Sequence, residues 1–205
     1  MCLIVHQPVG ASAPAELLES AAAYNPDGFG FMGFDARGRV RVERSRHADW
    51  ALAKSLALEF EGLDCAFHFR RRTRGSMGAE NLHPFELADG LLLMHNGTAN
   101  VPLRIAGHSD SWHLVNDYLA PLLAHRRKLI YDRAFRRIVD AWLGPQNRLV
   151  ILDASERRIE LLHRAEGHEW RGLWLSNTRW LDQRLLGLGA DVQRDVYRAD
   201  EVSFC

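Results

Sequence analysis

Apolar residues along this chain follow two rhythms. Short, nearly unbroken apolar runs recur as CLIVHQ at 2–7, FGFMGFD at 29–35, DCAFHFR at 64–70, LLLMH at 91–95 and GLWLS at 172–176. Runs this short and continuous predict strands covered on both faces. Between them, apolar residues return at helical spacing over 14–24, 48–60, 109–124 and 131–143, which predicts four helices. Pro14 is placed to open the first, and Ser109 or Asp110 to cap the third.

Turn residues connect these runs. Ala36-Arg37-Gly38 joins 29–35 to the alternating RVRVERS segment as a hairpin, Ala88-Asp89-Gly90 makes a second, and 148–164 (RLVILDASERRIELLHR) reads as a third. Asn25-Pro26-Asp27-Gly28 is a turn, Asn96-Gly97 a sharp turn, and 73–85 (TRGSMGAENLHPF) a long polar loop. Three parts follow one another: to about Phe60, from Asp64 to about Asp110, and the remainder. No linker, repeat or low-complexity tract divides them, so 1–205 reads as a single domain. Strands grouped apart from helices predict an α+β fold of stacked sheets covered by helices.

Composition narrows the function classes. Apolar residues make up 47%, enough for a sizeable core. Lys plus Arg equals Asp plus Glu at 26 each, which argues against a protein that coats nucleic acid or an acidic membrane. No stretch has the length of a membrane span, and the amino end lacks the pattern of a secretory signal. Cys2, Cys65 and Cys205 are too few and too far apart for a disulfide framework or a metal knuckle. A cytoplasmic protein is expected, with neither metal nor cofactor.

The chemistry centres on Cys2. Removal of Met1 would leave a thiol beside its own α-amine, whose pKa of about 7.7–8 suits a base near neutrality. One residue then supplies nucleophile and base. The competing reading is a small buried hydrophobe at a strand start. Four further motifs follow in order: HFRRRTRG from His68, ENLHPF from Glu80, MHNG from Met94 and SDS from Ser109. With Cys2, they make the chain resemble the class II glutamine amidotransferases, whose N-terminal cysteine glutaminase domains show H-x-R-x-x-T-x-G, N-x-H-P, H-N-G and an aspartate between small hydroxyl residues. The resemblance spans Cys2 to about Ser111 and looks closest to small stand-alone members with N-P-D-G-F-G, here 25–30.

The resemblance implies a four-layer αββα sandwich of the Ntn-hydrolase type. It implies Cys2 as nucleophile, and the Asn96 side chain with the Gly97 N–H as oxyanion donors. Arg70 would hold the substrate α-carboxylate, Asp110 its ammonium, and Thr73 a loop that closes over it. A forked guanidinium suits a carboxylate. The reaction would be hydrolysis of a side-chain amide through a thioester, releasing ammonia from a small-molecule amide such as glutamine. No room for a synthase domain follows Ser111, so any ammonia acceptor would be a separate partner. Departures exist: Arg71 and Arg74 stand where better-known members have tryptophan and histidine, and Asn25-Pro26 where many have Arg-Gly. Two alternatives stay open, an Ntn hydrolase for a γ-glutamyl or acyl amide and a non-catalytic binding module on the same scaffold.

The remaining candidates have ordinary readings. His68, His83 and His95 fit no compact zinc spacing and read as structural histidines. Cys65 reads as an inert core residue, HRRK at 125–128 as a solvated corner, and SNTRW at 176–180 as a strand end and helix cap without a chemical role.

Overall fold

The computed structural model of the protein describes residues 2–179. Cys205, and Trp180 of the SNTRW stretch, lie outside the described residues.

Among the described residues, ten strands form two antiparallel sheets. The first contains β1 (Leu3–Gln7), β2 (Phe29–Phe34), β3 (Val40–Ser45), β4 (Cys65–Phe69), β9 (His168–Trp170) and β10 (Leu173–Leu175), in the order β3-β2-β4-β1-β10-β9. The second contains β5 (Phe85–Ala88), β6 (Leu91–Asn96), β7 (Arg148–Asp153) and β8 (Arg158–Leu162), in sequence order. Helices α1 (Ala15–Tyr24) and α2 (Trp50–Glu59) cover the first sheet. Helices α3 (Asp110–His113), α4 (Ala120–His125) and α5 (Arg133–Leu143) cover the second.

Alternation along each strand sorts side chains between two buried layers, because successive residues point to opposite faces. Leu3 and Val5 of β1, Phe29 and Phe31 of β2, Phe67 and Phe69 of β4, and Leu173 and Leu175 of β10 pack with Leu17, Leu18, Ala21, Ala53 and Leu56 of the first helical layer. Phe31 meets Phe60 and Phe67 edge-on, with ring centroids 4.7 and 5.1 Å apart. Leu91 and Leu93 of β6 and Leu149 and Ile151 of β7 pack with Leu114, Leu119, Val139 and Leu143 of the other helical layer. The residues between them, Ile4, Met32, Ala66, Leu92, Met94, Val150, Leu152 and Trp174, meet where the sheets face each other. The order is therefore helices, sheet, sheet, helices. Strands buried on both sides read as unbroken apolar runs, and each fully buried large side chain contributes about 1.5–3 kcal/mol.

Helix ends follow local chemistry. Pro14 opens α1; the carboxylates of Asp49 and Asp132 accept the N–H of Leu52 (2.9 Å) and Phe135 (2.8 Å) to cap α2 and α5. At α3 it is Ser109 that caps, its Oγ accepting Trp112 N–H at 3.1 Å.

Three expectations change. The helix over 109–124 is not uniform: α3 passes through one wide π turn, Leu114–Leu119, before α4. Pro121 has no N–H to return to the carbonyl four residues earlier. Strand β9 had no sequence signal, being a three-residue edge strand of half-exposed and exposed residues. The corner 125–128 is not merely solvated. Arg127 pairs with buried Asp153 at 2.7 Å and donates to the Asp89 and Gly90 carbonyls, tying the β5–β6 turn to the end of β7. No described helix is long and apolar enough to cross a membrane.

Candidate active site at one end of the sheet interface

Strand parity brings the chemical residues to one place. Cys2 continues the inward-facing series of Ile4, Arg70 that of Ala66 and His68, Asn96 that of Leu92 and Met94, and Ser176 that of Trp174. The antiparallel register of β1 on β4, with Leu3 opposite Phe69, carries Cys2 alongside Arg70.

Cys2 is half-buried, and its Sγ lies 3.6 Å from the Arg71 carbonyl oxygen. Burial pushes its thiol pKa up; the charge of Arg70 pulls it down and that of Asp110 adds to the rise. Both side chains are thus within electrostatic reach of the sulfur. Cys65 is buried outright in the core, and desolvation holds its thiol firmly protonated.

Arg70 is only 4% exposed. Its Nη2 donates to the carbonyls of Ser76 (3.0 Å) and Arg74 (3.3 Å), bracing the loop that follows β4. Its Nη1 is buried without a hydrogen-bond partner. A buried guanidinium nitrogen lacking an acceptor is costly unless a ligand supplies one. Arg71 is engaged elsewhere: its guanidinium covers the Tyr24 ring at 4.7 Å, and Nη1 donates to the Tyr24 carbonyl at 3.3 Å.

Asn96 ends β6, and its Nδ2 donates to Ser176 Oγ at 2.8 Å. Its Oδ1 is buried and unpartnered. Gly97 follows at φ +151°. A Cβ there would lie 2.3 Å from Asn147 Oδ1 and 2.7 Å from the Gln146 carbonyl oxygen, so the turn needs glycine. Asp110 is buried, and its Oδ2 accepts Ala99 N–H at 2.6 Å, which fixes the path of the chain leaving Gly97. Because Ser109 takes the capping role, the other Asp110 oxygen is not committed to the helix.

His95 anchors this assembly from the helix side. Its Nε2 lies 2.8 Å from Asn147 Oδ1 and its Nδ1 2.7 Å from Ser111 Oγ. An amide oxygen only accepts, so Nε2 carries the proton and the Ser111 hydroxyl donates to Nδ1. Burial keeps the ring neutral. Asn96 and Asp110 are therefore neighbours in sequence of two residues tied directly together. His68 and His83 stack at 3.9 Å between the sheets, and His68 Nε2 lies 3.3 Å from the His95 carbonyl. Burial drives both below the ordinary imidazole range, His68 to about 3. Among the described residues, no three His, Cys, Asp or Glu side chains group as a metal ion would require.

The loop 73–85 departs from its sequence reading. Thr73 and Arg74 are exposed, but Asn81, Leu82 and His83 are buried. Asn81 Oδ1 accepts Ser109 N–H at 2.6 Å, and its Nδ2 donates to the Gly107 carbonyl at 2.8 Å, so it pins this loop to the start of α3. The His83 carbonyl passes over Gly30, where a Cβ would come within 2.1 Å of its oxygen. That contact gives the glycine of the 25–30 motif a steric reason. No hydrogen bond joins the Thr73 side chain to Cys2, Arg70 or Asn96.

Ser176 and Asn177 were missed. Ser176 Oγ accepts Ile4 N–H at 2.8 Å as well as Asn96 Nδ2, and Asn177 Nδ2 donates to the Cys2 carbonyl at 2.8 Å. Only their polarity directly after an apolar strand distinguished them in the sequence.

No protein-family model matches the chain, and no curated protein matches it. Among solved structures it is similar to glutamine phosphoribosylpyrophosphate amidotransferase from B. subtilis, complexed with ADP and GMP. There the identity is 14% over 91% of this chain and 44% of that one, at a TM-score of 0.48. It is also similar to a glutamine aminotransferase class-II domain protein from Silicibacter pomeroyi, at 18% identity over 75% of this chain and 73% of that one, with a TM-score of 0.37. The chain spans less than half the length of the first of these.

Proposed function

We propose that the protein is a glutamine amidotransferase-type amidohydrolase whose nucleophile is Cys2 after removal of Met1. The observation that carries this reading is the unsatisfied chemistry around Cys2. Arg70 presents a buried donor without an acceptor, and Asn96 an amide with one N–H still to give. Asp110 keeps one carboxylate oxygen beyond its bond to Ala99. A free α-amino acid bearing a side-chain amide matches this set. Its carboxylate suits Arg70, its ammonium Asp110, and its amide oxygen Asn96 and the Gly97 N–H.

In the reaction the α-amine of Cys2 takes the thiol proton, and sulfur attacks the amide carbon. The carbonyl electrons move onto oxygen, where the two donors stabilise the developing charge. The oxyanion collapses, the C–N bond breaks, and nitrogen leaves as ammonia with the proton the amine had taken. Water then attacks the thioester, its proton passing by way of the amine to restore the thiol. The balance is amide plus water to acid plus ammonia. The pull of Arg70 on the thiolate works against burial in the first step. Thr73, exposed on the loop after Arg70, is assigned to closure over the bound substrate. The ammonia is released to water or passed to a separate acceptor.

The test is intact-mass and peptide analysis after exposure to a glutamine-like diazo-ketone, together with ammonia release from a panel of amides. The expected result is a chain lacking Met1, one adduct on Cys2, and glutamine preferred over γ-glutamyl and acyl amides. Retained Met1, or an adduct on Cys65 with Cys2 free, overturns the mechanism. Preference for an acyl amide replaces the substrate and keeps the nucleophile.

A further inference from the structure

The candidate nucleophile and the candidate oxyanion donor stand on different sheets. Cys2 precedes β1 of the first sheet, and Asn96 ends β6 of the second. Strands within one sheet are held by ladders of backbone hydrogen bonds. Facing sheets about 10 Å apart are held mainly by side-chain packing, which does not by itself fix their sliding to a fraction of an ångström. A site divided between two sheets therefore needs a directional bond across the gap.

Ser176 supplies one. It is fully buried at the end of β10, with its backbone N–H bonded to the Ile4 carbonyl at 2.9 Å. Its Oγ accepts from Ile4 N–H and from Asn96 Nδ2, both at 2.8 Å. One oxygen thus holds the backbone two residues beyond Cys2 and the amide of Asn96. An amide nitrogen has two coplanar hydrogens, so occupying one fixes the direction of the other. Asn177 completes the clamp by holding the Cys2 carbonyl. His68, 3.3 Å from the His95 carbonyl, is a second and longer bridge between the same sheets.

We propose that Ser176 is a positioning residue that sets the Asn96 oxyanion donor in register with the Cys2 sulfur. This rests on the reading of Cys2 and Asn96 given above. Ser176 touches no substrate; it acts through Asn96. The oxyanion exists only after attack begins, so loss of Ser176 falls on kcat and spares the Arg70 and Asp110 contacts that govern substrate binding.

The experiment compares the wild type with Ser176→Ala, Ser176→Cys, Asn96→Ala and Asn96→Ala combined with Ser176→Ala. Ammonia release and thermal melting are measured on the full-length protein. Removing one oxyanion donor typically lowers kcat by about 10²–10³-fold, and misaiming it should forfeit about 10- to 100-fold. Ser176→Ala and Ser176→Cys should each show that kcat loss with KM within about threefold. Cysteine nearly keeps the serine volume and is a weak acceptor, so it separates the hydrogen bonds from packing. In the Asn96→Ala background, Ser176→Ala should lower kcat by no more than about twofold, since the group it aims is gone. Losses that multiply independently, or a KM that rises with kcat unchanged, overturn the inference. An active wild type whose Ser176→Ala variant keeps the parental kcat overturns it alone. A wild type that releases no ammonia and leaves Cys2 unlabelled overturns the proposed function and the inference with it.

Discussion

Arg70 offers a decisive test of the substrate class. Its Nη2 is committed to the Ser76 and Arg74 carbonyls, whereas Nη1 is buried with no acceptor. A substrate carboxylate would complete that fork. A hydrogen bond to a charged group contributes about 1.5–3 kcal/mol, equivalent to about 10- to 100-fold in kcat/KM. Arg70→Lys keeps the charge but must share one ammonium between the loop carbonyls and the ligand, so it should lose most of that factor. Arg70→Ala also frees the loop carbonyls, so its total loss mixes loop and ligand effects. A substrate cycle separates them. Ammonia release is measured for wild type and Arg70→Ala with glutamine and with glutamine whose α-carboxylate is capped as a simple amide. Capping should lower kcat/KM of the wild type about 10- to 100-fold and that of the variant about threefold or less. Equal sensitivity to capping in both proteins would refute the contact, leaving Arg70 as a brace for its loop.

Three other outcomes are expected. Cys2→Ala should abolish ammonia release with an unchanged melting temperature, while Cys65→Ala, which removes a thiol held protonated in the core, should keep near-parental kcat; activity that tracks Cys65 refutes the nucleophile assignment. Gly97→Ala should destabilise the fold by about 1–3 kcal/mol in denaturant titration and lower kcat, because φ +151° is strained for alanine and the new Cβ meets the Gln146 carbonyl and Asn147; an unchanged midpoint refutes the close approach. His68 and His83 have folded pKa values depressed by burial, so below pH 6.5 the unfolded chain binds protons that the folded chain refuses. Stability should therefore fall as pH drops from about 6.5, by about 1.4 kcal/mol per pH unit for each such histidine, until the folded rings titrate, near pH 3 for His68. His83→Phe should reduce that slope by about one proton, and an unchanged slope means that the ring is already charged.

The central strands were legible because both of their faces are covered. FGFMGF and LLLMH could be read without knowing which residue faced which layer, and the structure then divides each by parity, Phe31 to the helices and Met32 to the other sheet. The candidate site residues came from the ordered motifs and not from the apolar pattern. Arg70, Asn96 and Asp110 were put forward by the family resemblance, and the structure places each at a strand end or helix start. Contacts between distant segments were not legible. Ser176 acts on residues 80 and 172 positions away, and nothing local to SNT announces that partnership. Asn81 looked like one polar residue among many in a loop because its partners, Gly107 and Ser109, belong to another loop. Arg127 misled because a run of basic residues between helices usually faces water, and here one of them reaches Asp153.

The position of β1 in its sheet bears on how the protein is made. Its neighbours are β4 and β10, and Val5 pairs with Leu175, roughly 170 residues later in the chain. A ribosome adding about 5–20 residues each second takes roughly 10–35 s to cover that distance. During that interval one edge of β1 has no partner, and neither Ser176 nor Asn177 exists to hold its backbone. The backbone at Cys2 can be gripped from the β10 side only when synthesis has passed Asn177. On the proposed reading of Cys2, a chain that stopped short of β10 would carry its thiol on an open strand edge.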